Sequence, residues 1–595
     1  MNILGLSFFY HDSGAALLVD GVPTSMSSEE RFTRKKNDSD FPKQSIDFVL
    51  QDSKVKKEEI DYVVFYEKPF VKFERIIKTS LATFPSSCPV FIESIKHIFL
   101  DKMWIRQLIS SQLDIDPDKI LFSDHHLSHA ASSFYCSPYD KAAILTVDGV
   151  GEWATTTLAF GKNNNIKVIK EIDFPHSLGL LYSAFTAWLG FRVNSGEYKV
   201  MGMAPYGKPK HVDKIKKVIK VYEDGSYALD LSYFTFHKSL TKTYSRKFVK
   251  LFGEPREKES KFFTRDTGWP SYFGTKPEGK ELEDLANKQE YYADMATSIQ
   301  VVLEEILIKL ANSLYKETGV DKLCISGGVG LNSVANWKIL QNTPFNNIYI
   351  QPAAGDAGGA LGAALAAYHG GLQKPRTNFV MDHAYYGQEF DNSIIKKTIQ
   401  KNNLQYDYID NLEVLLDKIT DHMVDGRVIG WYHGKCEWGP RALGSRSIVA
   451  DPRREEMKDI VNTKIKFREP YRPFAPSVMS EHVEEFFDMP NAKEHYPGRF
   501  MLYVVPVKED KKKIIPAITH VDGSARPQIV FQDQSPRYWQ LINSFYKKTG
   551  VALVLNTSFN LRGEPIVNTP QNAINTFLKG NIDILVLEDY IVYRP

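Results

Sequence analysis

The chain is poor in cysteine. Cys88, Cys136, Cys324 and Cys436 are its four, far apart and without a CxxC pair. That excludes a zinc ribbon and a disulfide framework and suits a reducing compartment. Long apolar runs are missing too: GGALGAALAAYHGG at 358–371 is too short and too rich in glycine to span a bilayer. The opening MNILGLSFFYHDSG has no basic leader and meets His11 and Asp12 too early for a secretory signal. Nor is there charge of one sign, since 74 Lys and Arg stand against 72 Asp and Glu. No global field therefore draws the chain to nucleic acid or to a membrane. These absences together read as a cytoplasmic protein whose cationic sites are local.

What is present exceeds one core. A chain of 595 residues at 43% hydrophobic content calls for at least two domains. ILGLSFF, YHDSG and AALLVDG read as strand, turn, strand; AAILTVD, GVGEW and ATTTLAFGKNNNIKVIKEI repeat the plan, with a hairpin turning at the Asn run. Two such units suggest an internally duplicated sheet domain. A helix is expected over 283–317, where Leu285, Tyr292, Met295, Ile299, Val302, Ile306, Leu310 and Leu314 recur at helical spacing, and Gly319 stops it. The stretch 252–282 is charged and without period, and reads as a surface insertion. The Gly- and Pro-containing stretch from 370 to about 385 marks a boundary, giving domains at 1–372 and 385–595.

SDHHLSHAAS places His125, His126 and His129 at the start of a helix that Ser123 or Asp124 can cap. His125 and His129 share one face a turn apart, the HxxxH arrangement that lets two imidazoles hold one cation. His126 and His129 could also converge. Asp148, at the end of an apolar strand, and Asp356, in the loop AAGDAGG before a helix, sit where sheet folds carry ligands. Together these four make an N2O2 set suited to Fe(II), Mn or Zn. A blander alternative stands level with this one: the histidines cap or pack, and each aspartate bonds a turn amide. The Glu of an HExxH peptidase is absent.

The loop SGGVGLN at 326–332 offers amides at a helix start, a natural cradle for phosphate or an adenosine. It is neither a Walker A loop nor a dinucleotide fingerprint. In WGPRALGSRSIVADPRREEMKDIVNTKIKFREPYRPFAPSV, Arg441, Arg446, Arg468 and Arg472 stand beside Gly, Pro and aromatics, a setting for bidentate oxyanion recognition. Arg526, Asn556, Asn560 and Arg562 extend the set. Glu455, Glu456, Asp459 and Glu469 interrupt any continuous basic face, so a small phosphorylated substrate is favoured over nucleic acid.

With FYHDSGAALLVDG, EERFTRKKND, DHHLSHAASSF, TVDGVGEW, SGEYKVMGMAPYG, SGGVGLN, QPAAGDAGGALGAA, WGPRALGSRSI, FREPYRPFAP, DGSARPQ and NTSFNLRGEPI in order, the chain resembles the nodulation-type and antibiotic-pathway O-carbamoyltransferases nearly end to end. The resemblance implies an α/β protein. An actin/sugar-kinase-like duplicated ATPase domain, where carbamoyl transfer occurs, is followed by a threonylcarbamoyl-adenylate-synthase-like α/β domain that makes carbamoyl-adenylate from carbamoyl phosphate and ATP. It implies a metal, usually Fe(II), on His125, His129, Asp148 and Asp356, and Mg2+ with ATP. It places His11 and Lys36 on the acceptor side; independently of the resemblance, His11, in a turn at a strand end, is the candidate catalytic base for the alcohol's proton near neutral pH. Gly327, Gly328 and Asn332 fall in the adenylate loop, and Arg441, Arg468, Arg526, Asn560 and Arg562 in the carbamoyl-phosphate and ATP pocket. The partners implied are ATP, carbamoyl phosphate and a small-molecule hydroxyl acceptor, with no nucleic acid, no membrane, and room for a homodimer. A sugar-kinase-like phosphotransferase and a nucleotide-binding RNA-modification subunit are the competing readings.

Overall fold

The computed structural model describes residues 1–97, 104–239, 241–265, 267–269, 273–467, 469 and 471–595. They form two compact units. The first comprises residues 1–29, 37–264 and 278–380; the second comprises 30–36, 265–277 and 381–595.

In the first unit β1 (Asn2–Ser7), β2 (Gly14–Val19), β3 (Val22–Ser28), β4 (Tyr62–Phe65) and β5 (Ile120–Phe122) form a sheet in the order 3-2-1-4-5. A second sheet has β6 (Lys141–Val147), β7 (Ala154–Lys162), β8 (Asn165–Asp173), β9 (Lys322–Ser326) and β10 (Asn347–Tyr349) in the order 8-7-6-9-10. In each sheet the first three strands are an antiparallel meander, and the last two join in parallel. This repeated topology is the internal duplication expected from the two strand–turn–strand runs. The Asn run turns the β7–β8 hairpin as expected: Lys162 pairs with Asn165, and Asn163 takes the positive φ of 53° that a two-residue turn needs.

Five helices matter for the site: α1 (Pro69–Ala82), α2 (His125–Phe134), α3 (Gly279–Thr318), α4 (Ser333–Asn342) and α5 (Ala357–Leu365). The long helix α3 ends where its sequence says, with Gly319 at φ 65° and its N–H on Tyr315 O. The sequence AGGALGAAL of α5 is glycine-rich because the helix is wedged between β1 and α2. A Cβ on Gly362 would lie 1.7 Å from Ser128 O, and one on Gly5 would lie 1.9 Å from Ala360 O. Only small residues permit that approach, which carries Asp356, at the head of α5, up to the histidines of α2. The stretch 252–282 differs from the expected surface insertion. Arg256, Phe262, Phe263 and Phe273 are buried, and Arg256 donates to Leu189 O at 3.2 Å. Irregular backbone anchored by single side chains carries no period, which is why the burial is not visible in sequence.

The second unit is built on a mixed eight-stranded sheet. Its strands are β11 (Tyr406–Tyr408), β12 (Ile429–Tyr432), β13 (Arg446–Ala450), β14 (Ala475–Met479), β15 (Gln528–Val530), β16 (Leu553–Ser558), β17 (Ile584–Leu587) and β18 (Tyr590–Tyr593). Their order is 11-18-17-12-13-16-14-15. The apolar runs of β12, β13, β14 and β17 are buried throughout, as central strands require.

Candidate active site

Four donors converge in the first unit. His125 and His129, i and i+4 on α2, bring their Nε2 atoms to 3.1 Å of each other. Asp148 Oδ2 lies 3.1 Å from His125 Nε2 and 3.7 Å from His129 Nε2. Asp356 Oδ1 lies 3.8 and 3.5 Å from the same two atoms. All four residues are buried, and one ligand atom from each lies within 4.8 Å of the others. Donors bonded to one divalent ion at about 2.0–2.2 Å stand roughly 3–3.6 Å from their neighbours, so this set fits such an ion. Two carboxylates buried against two imidazoles also need positive charge. Burial works against the Asp148 charge, yet the two imidazoles outweigh it and hold the carboxyl well below its usual range. Burial likewise pulls His129 down, and the carboxylates of Asp148 and Asp356 push it up to about 9.

Asp148 uses its other oxygen as a turn anchor. Oδ1 accepts the Gly328 N–H at 2.8 Å, so the first glycine loop orients a cluster residue. Gly327 cannot carry a side chain: its φ is 90°, and a Cβ would lie 2.2 Å from Val147 O. Asn332 caps α4 through Ala335 N–H and exchanges hydrogen bonds with Gln300 at 3.0 and 3.1 Å. Asp148 thus bonds a turn amide with one oxygen and faces the histidines with the other.

His126 turns away from the cluster. Its Nδ1 is 2.6 Å from Thr146 Oγ1, which is 2.6 Å from Thr157 Oγ1. Burial, then the neighbouring His125 and His129, lower its pKa to about 3, so it is neutral. The cap of α2 is also not the one expected. Asp124 occupies the N-cap without a side-chain bond to the helix amides, its carboxylate accepting from Lys68 Nζ at 3.0 Å. Instead the buried Glu152 accepts the His125 N–H at 3.1 Å with each oxygen and the Lys68 N–H at 2.7 Å.

Above the cluster the β1–β2 turn holds Phe9 and Asp12 at φ 72° and 44°, backbone rarely adopted by such residues. Between them stand Tyr10 and His11. His11 Nε2 faces Asn194 O at 2.6 Å and its Nδ1 faces Asp12 Oδ2 at 2.7 Å. Two acceptors require two ring N–H groups, which is the imidazolium. Burial opposes that charge, but Asp12, then Asp356 and the Asn194 carbonyl, raise the pKa to about 9. Burial, and then Asp356 and Asp148, also push the Tyr10 phenol up. Tyr66, fully buried with its ring 5.4 Å from that of His125, has a hydroxyl without a hydrogen-bond partner among the described residues. Neither tyrosine stands out in sequence; Tyr10 sits next to His11, and that adjacency was its only signal.

In the second unit the sequence-derived set is only partly gathered. Asn560 Oδ1 accepts from Lys466 Nζ at 2.6 Å and from Ser558 Oγ at 2.7 Å, and its Nδ2 donates to Glu564 O. Arg562 and Arg472 both approach Glu469, at 3.5 and 3.4 Å. Arg441 and Arg526 are half-buried, Lys36 is exposed, and Arg468 lies outside the described residues. Arg446 is fully buried, stacked 3.6 Å over the Tyr432 ring, and donates to the carbonyls of His433, Ser445 and Gln388, so its role is structural. Sequence reasoning missed three groups. Buried Lys466 is one. Glu437 is another: its Oε1 accepts from the N–H groups of Leu443, Ser445 and Arg446 and shapes the loop bearing Arg441. The third is the pair Arg31 and Arg34, which donate to Gly439 O and to Ile566 O and Pro565 O.

Among the described residues no helix is long and apolar enough to cross a membrane. An uncharacterized protein of Synechocystis sp. is 43% identical over 628 residues, covering 100% of this chain and 97% of its own. The nodulation protein NolNO of Sinorhizobium fredii is 35% identical, covering 98% of this chain and 79% of its own. The 3'-hydroxymethylcephem-O-carbamoyltransferase of Amycolatopsis lactamdurans is 33% identical over 267 residues, 45% of this chain and 48% of its own. The carbamoyltransferase N-terminus model matches residues 2–365 and the carbamoyltransferase C-terminus model matches residues 420–594. With both models matched in order around the buried His/Asp cluster, the chain belongs to the carbamoyltransferase family.

Proposed function

We propose that the protein is an ATP-dependent O-carbamoyltransferase acting on a small-molecule hydroxyl acceptor. Carbamoyl phosphate, ATP and one water give carbamoyl-adenylate, phosphate and pyrophosphate in the second unit. The acceptor hydroxyl then attacks the carbamoyl carbon at the first unit, and AMP leaves. The observation that carries this reading is the convergence of His125, His129, Asp148 and Asp356 beneath the strained turn bearing His11, in a chain of this family.

The four cluster residues would hold a divalent metal, for which iron is the family's usual choice, and Mg2+ would accompany ATP. When bound, such an ion polarises an oxygen of the adenylate or the carbamoyl group. The chain's own groups do the rest. The loop bearing Gly327, Gly328 and Asn332 lies beside the adenylate. Arg441, Arg468, Arg526, Asn560 and Arg562 hold carbamoyl phosphate and ATP, with Lys466 fixing Asn560. Lys36 contributes to the acceptor side. His11 takes the acceptor proton, and it does so only after losing its own, because at rest both ring nitrogens donate.

The test is to incubate the full chain with ATP, magnesium, carbamoyl phosphate and a panel of candidate alcohols, sugars included. AMP and pyrophosphate support the reading. ADP with a phosphorylated alcohol would replace it with a phosphotransferase, and tight ATP binding without turnover would replace it with a binding subunit.

A further inference from the structure

His11 is held at both ring nitrogens, and the two contacts admit one charge state. Its Nδ1 stands 2.7 Å from Asp12 Oδ2, and its Nε2 stands 2.6 Å from the Asn194 carbonyl oxygen. A neutral imidazole has one N–H and one lone pair. With the proton on Nδ1, the Nε2 lone pair would meet the lone pairs of Asn194 O. With the proton on Nε2, the Nδ1 lone pair would meet a carboxylate. A base must offer Nε2 bare, because Nδ1 is taken by Asp12. The acceptor O–H would then stand where the Asn194 carbonyl stands. Carbonyl and hydroxyl therefore compete for one position.

Glu197, in the stretch SGEYKVMGMAPYG, keeps the carbonyl there. Asn194 is in the left-handed region, at φ 64°. Its N–H donates to Glu197 Oε1 at 3.0 Å, and the Gly196 N–H donates to Oε2 at 3.1 Å. Ser183 Oγ, on the helix Leu178–Trp188, donates to the same Oε1 at 2.9 Å and ties the carboxylate to packed structure. A Cβ on Gly196 would lie 2.5 Å from Arg192 O, so the loop closes tightly on itself. One carboxylate thus fixes two amides of a loop whose carbonyl faces His11. The charged groups acting on His11 are Asp12 beside it and Asp356 through space, and among the described residues only Asn194 O meets Nε2.

We propose that Glu197 is a positioning residue for carbamoyl transfer: through the Asn194 carbonyl it latches His11, and the acceptor hydroxyl must displace that carbonyl before His11 can serve as base. The latch bears on catalysis only if His11 is the base of the transfer proposed for this protein. When the loop yields, the Nε2 proton passes to solvent. The bare Nε2 then takes the acceptor's proton as the O–H bond breaks, the oxygen bonds the carbamoyl carbon and AMP leaves.

Carbon-13 labelling of the histidines in the full chain, with His11→Gln to identify the signal, gives the His11 titration midpoint by NMR without turnover. The latch can therefore fail while transfer is observed, and transfer can fail while the latch holds. At matched metal content, Glu197→Ala should lower the midpoint by about one pH unit, a tenfold gain in neutral imidazole, as a hydrogen bond to a charged group is lost. Glu197→Gln and Ser183→Ala each leave an oxygen for the Asn194 N–H and should lower it by less than half as much. The acid limb of kcat/KM for the alcohol should move with the midpoint, while adenylate formation keeps its own profile. A role confined to folding would change the melting temperature and leave the midpoint in place. A wild-type midpoint in Glu197→Ala overturns the proposal; should that variant fail to fold, wild-type midpoints in both milder variants do so. Equal displacement by Gln and Ala also overturns it, because the charge of Glu197 and not its hold on the loop would then act on His11.

Discussion

Glu152 holds the backbone N–H of His125 with both carboxylate oxygens, each at 3.1 Å, and so ties the loop after β6 to the start of the helix bearing His125 and His129. The same carboxylate accepts from Lys68 N–H just ahead of α1. Three separate segments therefore meet on one side chain. Replacing Glu152 with Ala removes a helix cap worth about 0.5–2 kcal/mol and loosens the alignment of a ligand-bearing helix, which typically costs about 10–100-fold in metal affinity. Glu152→Gln, which keeps one acceptor, should retain more of both. Thermal unfolding and titration with Fe(II) or Zn(II) in the purified protein measure the two losses. A Glu152→Ala protein with wild-type metal affinity would show that the cap does not position the histidines.

The two adjacent histidines should behave oppositely. His125→Ala removes a donor from the cluster and should abolish stoichiometric metal binding. His126→Ala should leave metal content intact, since its Nδ1 faces Thr146 rather than the cluster, although the emptied space around a buried ring will destabilise the fold by about 2–5 kcal/mol. Metal analysis after dialysis distinguishes them. The reverse pattern would mean that His126 and His129 form the ligand pair.

His11 sets a pH dependence. Its pKa in the folded chain is raised to about 9 from an ordinary 6.5. As the base in transfer it works only deprotonated, so kcat/KM for the alcohol should climb from pH 7 towards 9, and His11→Gln should flatten the limb along with most of the activity. Because the folded pKa is the higher one, the stability His11 contributes is complete below about pH 6.5 and disappears as pH rises through 9. A dication beside Asp356 removes part of the field that holds the proton, so metal loading should move the limb to lower pH. A profile unchanged by His11→Gln would remove His11 as the base.

The orphan hydroxyl of Tyr66 offers a separation of stability from function. No protein hydrogen bond is lost in Tyr66→Phe, so unfolding free energy should stay within about 0.5 kcal/mol or improve, relieved of an unsatisfied buried donor. We propose that this hydroxyl, beside the cluster and without a partner among the described residues, meets a substrate oxygen. The variant should accordingly lower kcat for transfer by roughly tenfold or more, one donated bond in a dry site, while adenylate formation from carbamoyl phosphate and ATP continues. Equal loss in both half-reactions would place Tyr66 in the scaffold instead.

What could be read from the chain divides along physical lines. Helical spacing put His125 and His129 on one face but left His126 and His129 as an open pair, strand-end loops before glycines offered Asp148 and Asp356, and it was the family resemblance that settled on His125, His129, Asp148 and Asp356. The duplicated sheet showed itself in two matching strand–turn–strand runs. Glu152 was not legible: Asp124 is the nearer cap in sequence, and only folding reveals that a carboxylate 27 residues away takes its place. The arginine segment mixed roles that composition cannot separate, with Arg446 engaged on carbonyls and Lys466 the buried cation beside Asn560. Helix α1 defeated pattern reading for another reason. Periodicity shows that two faces differ, and the usual assumption that the apolar one turns inward fails where the buried side chains are Lys72 and Arg75, drawn to Glu67 and the Gly151 carbonyl.

The grouping of residues 30–36 with the second unit bears on how the protein is made. Arg31 and Arg34 leave the ribosome well before the carbonyls they bond, on Gly439, Pro565 and Ile566, which follow 408 to 532 positions later. For the latest of them, at a synthesis rate of about 5–20 residues per second, that is a wait of roughly 25–100 s. During that interval the strand-and-helix sequence on either side can fold, while this basic heptad must remain uncommitted. The completion of the second unit thus waits for the synthesis of residues 565 and 566, and a nascent chain released before them would leave Arg34 without these two acceptors.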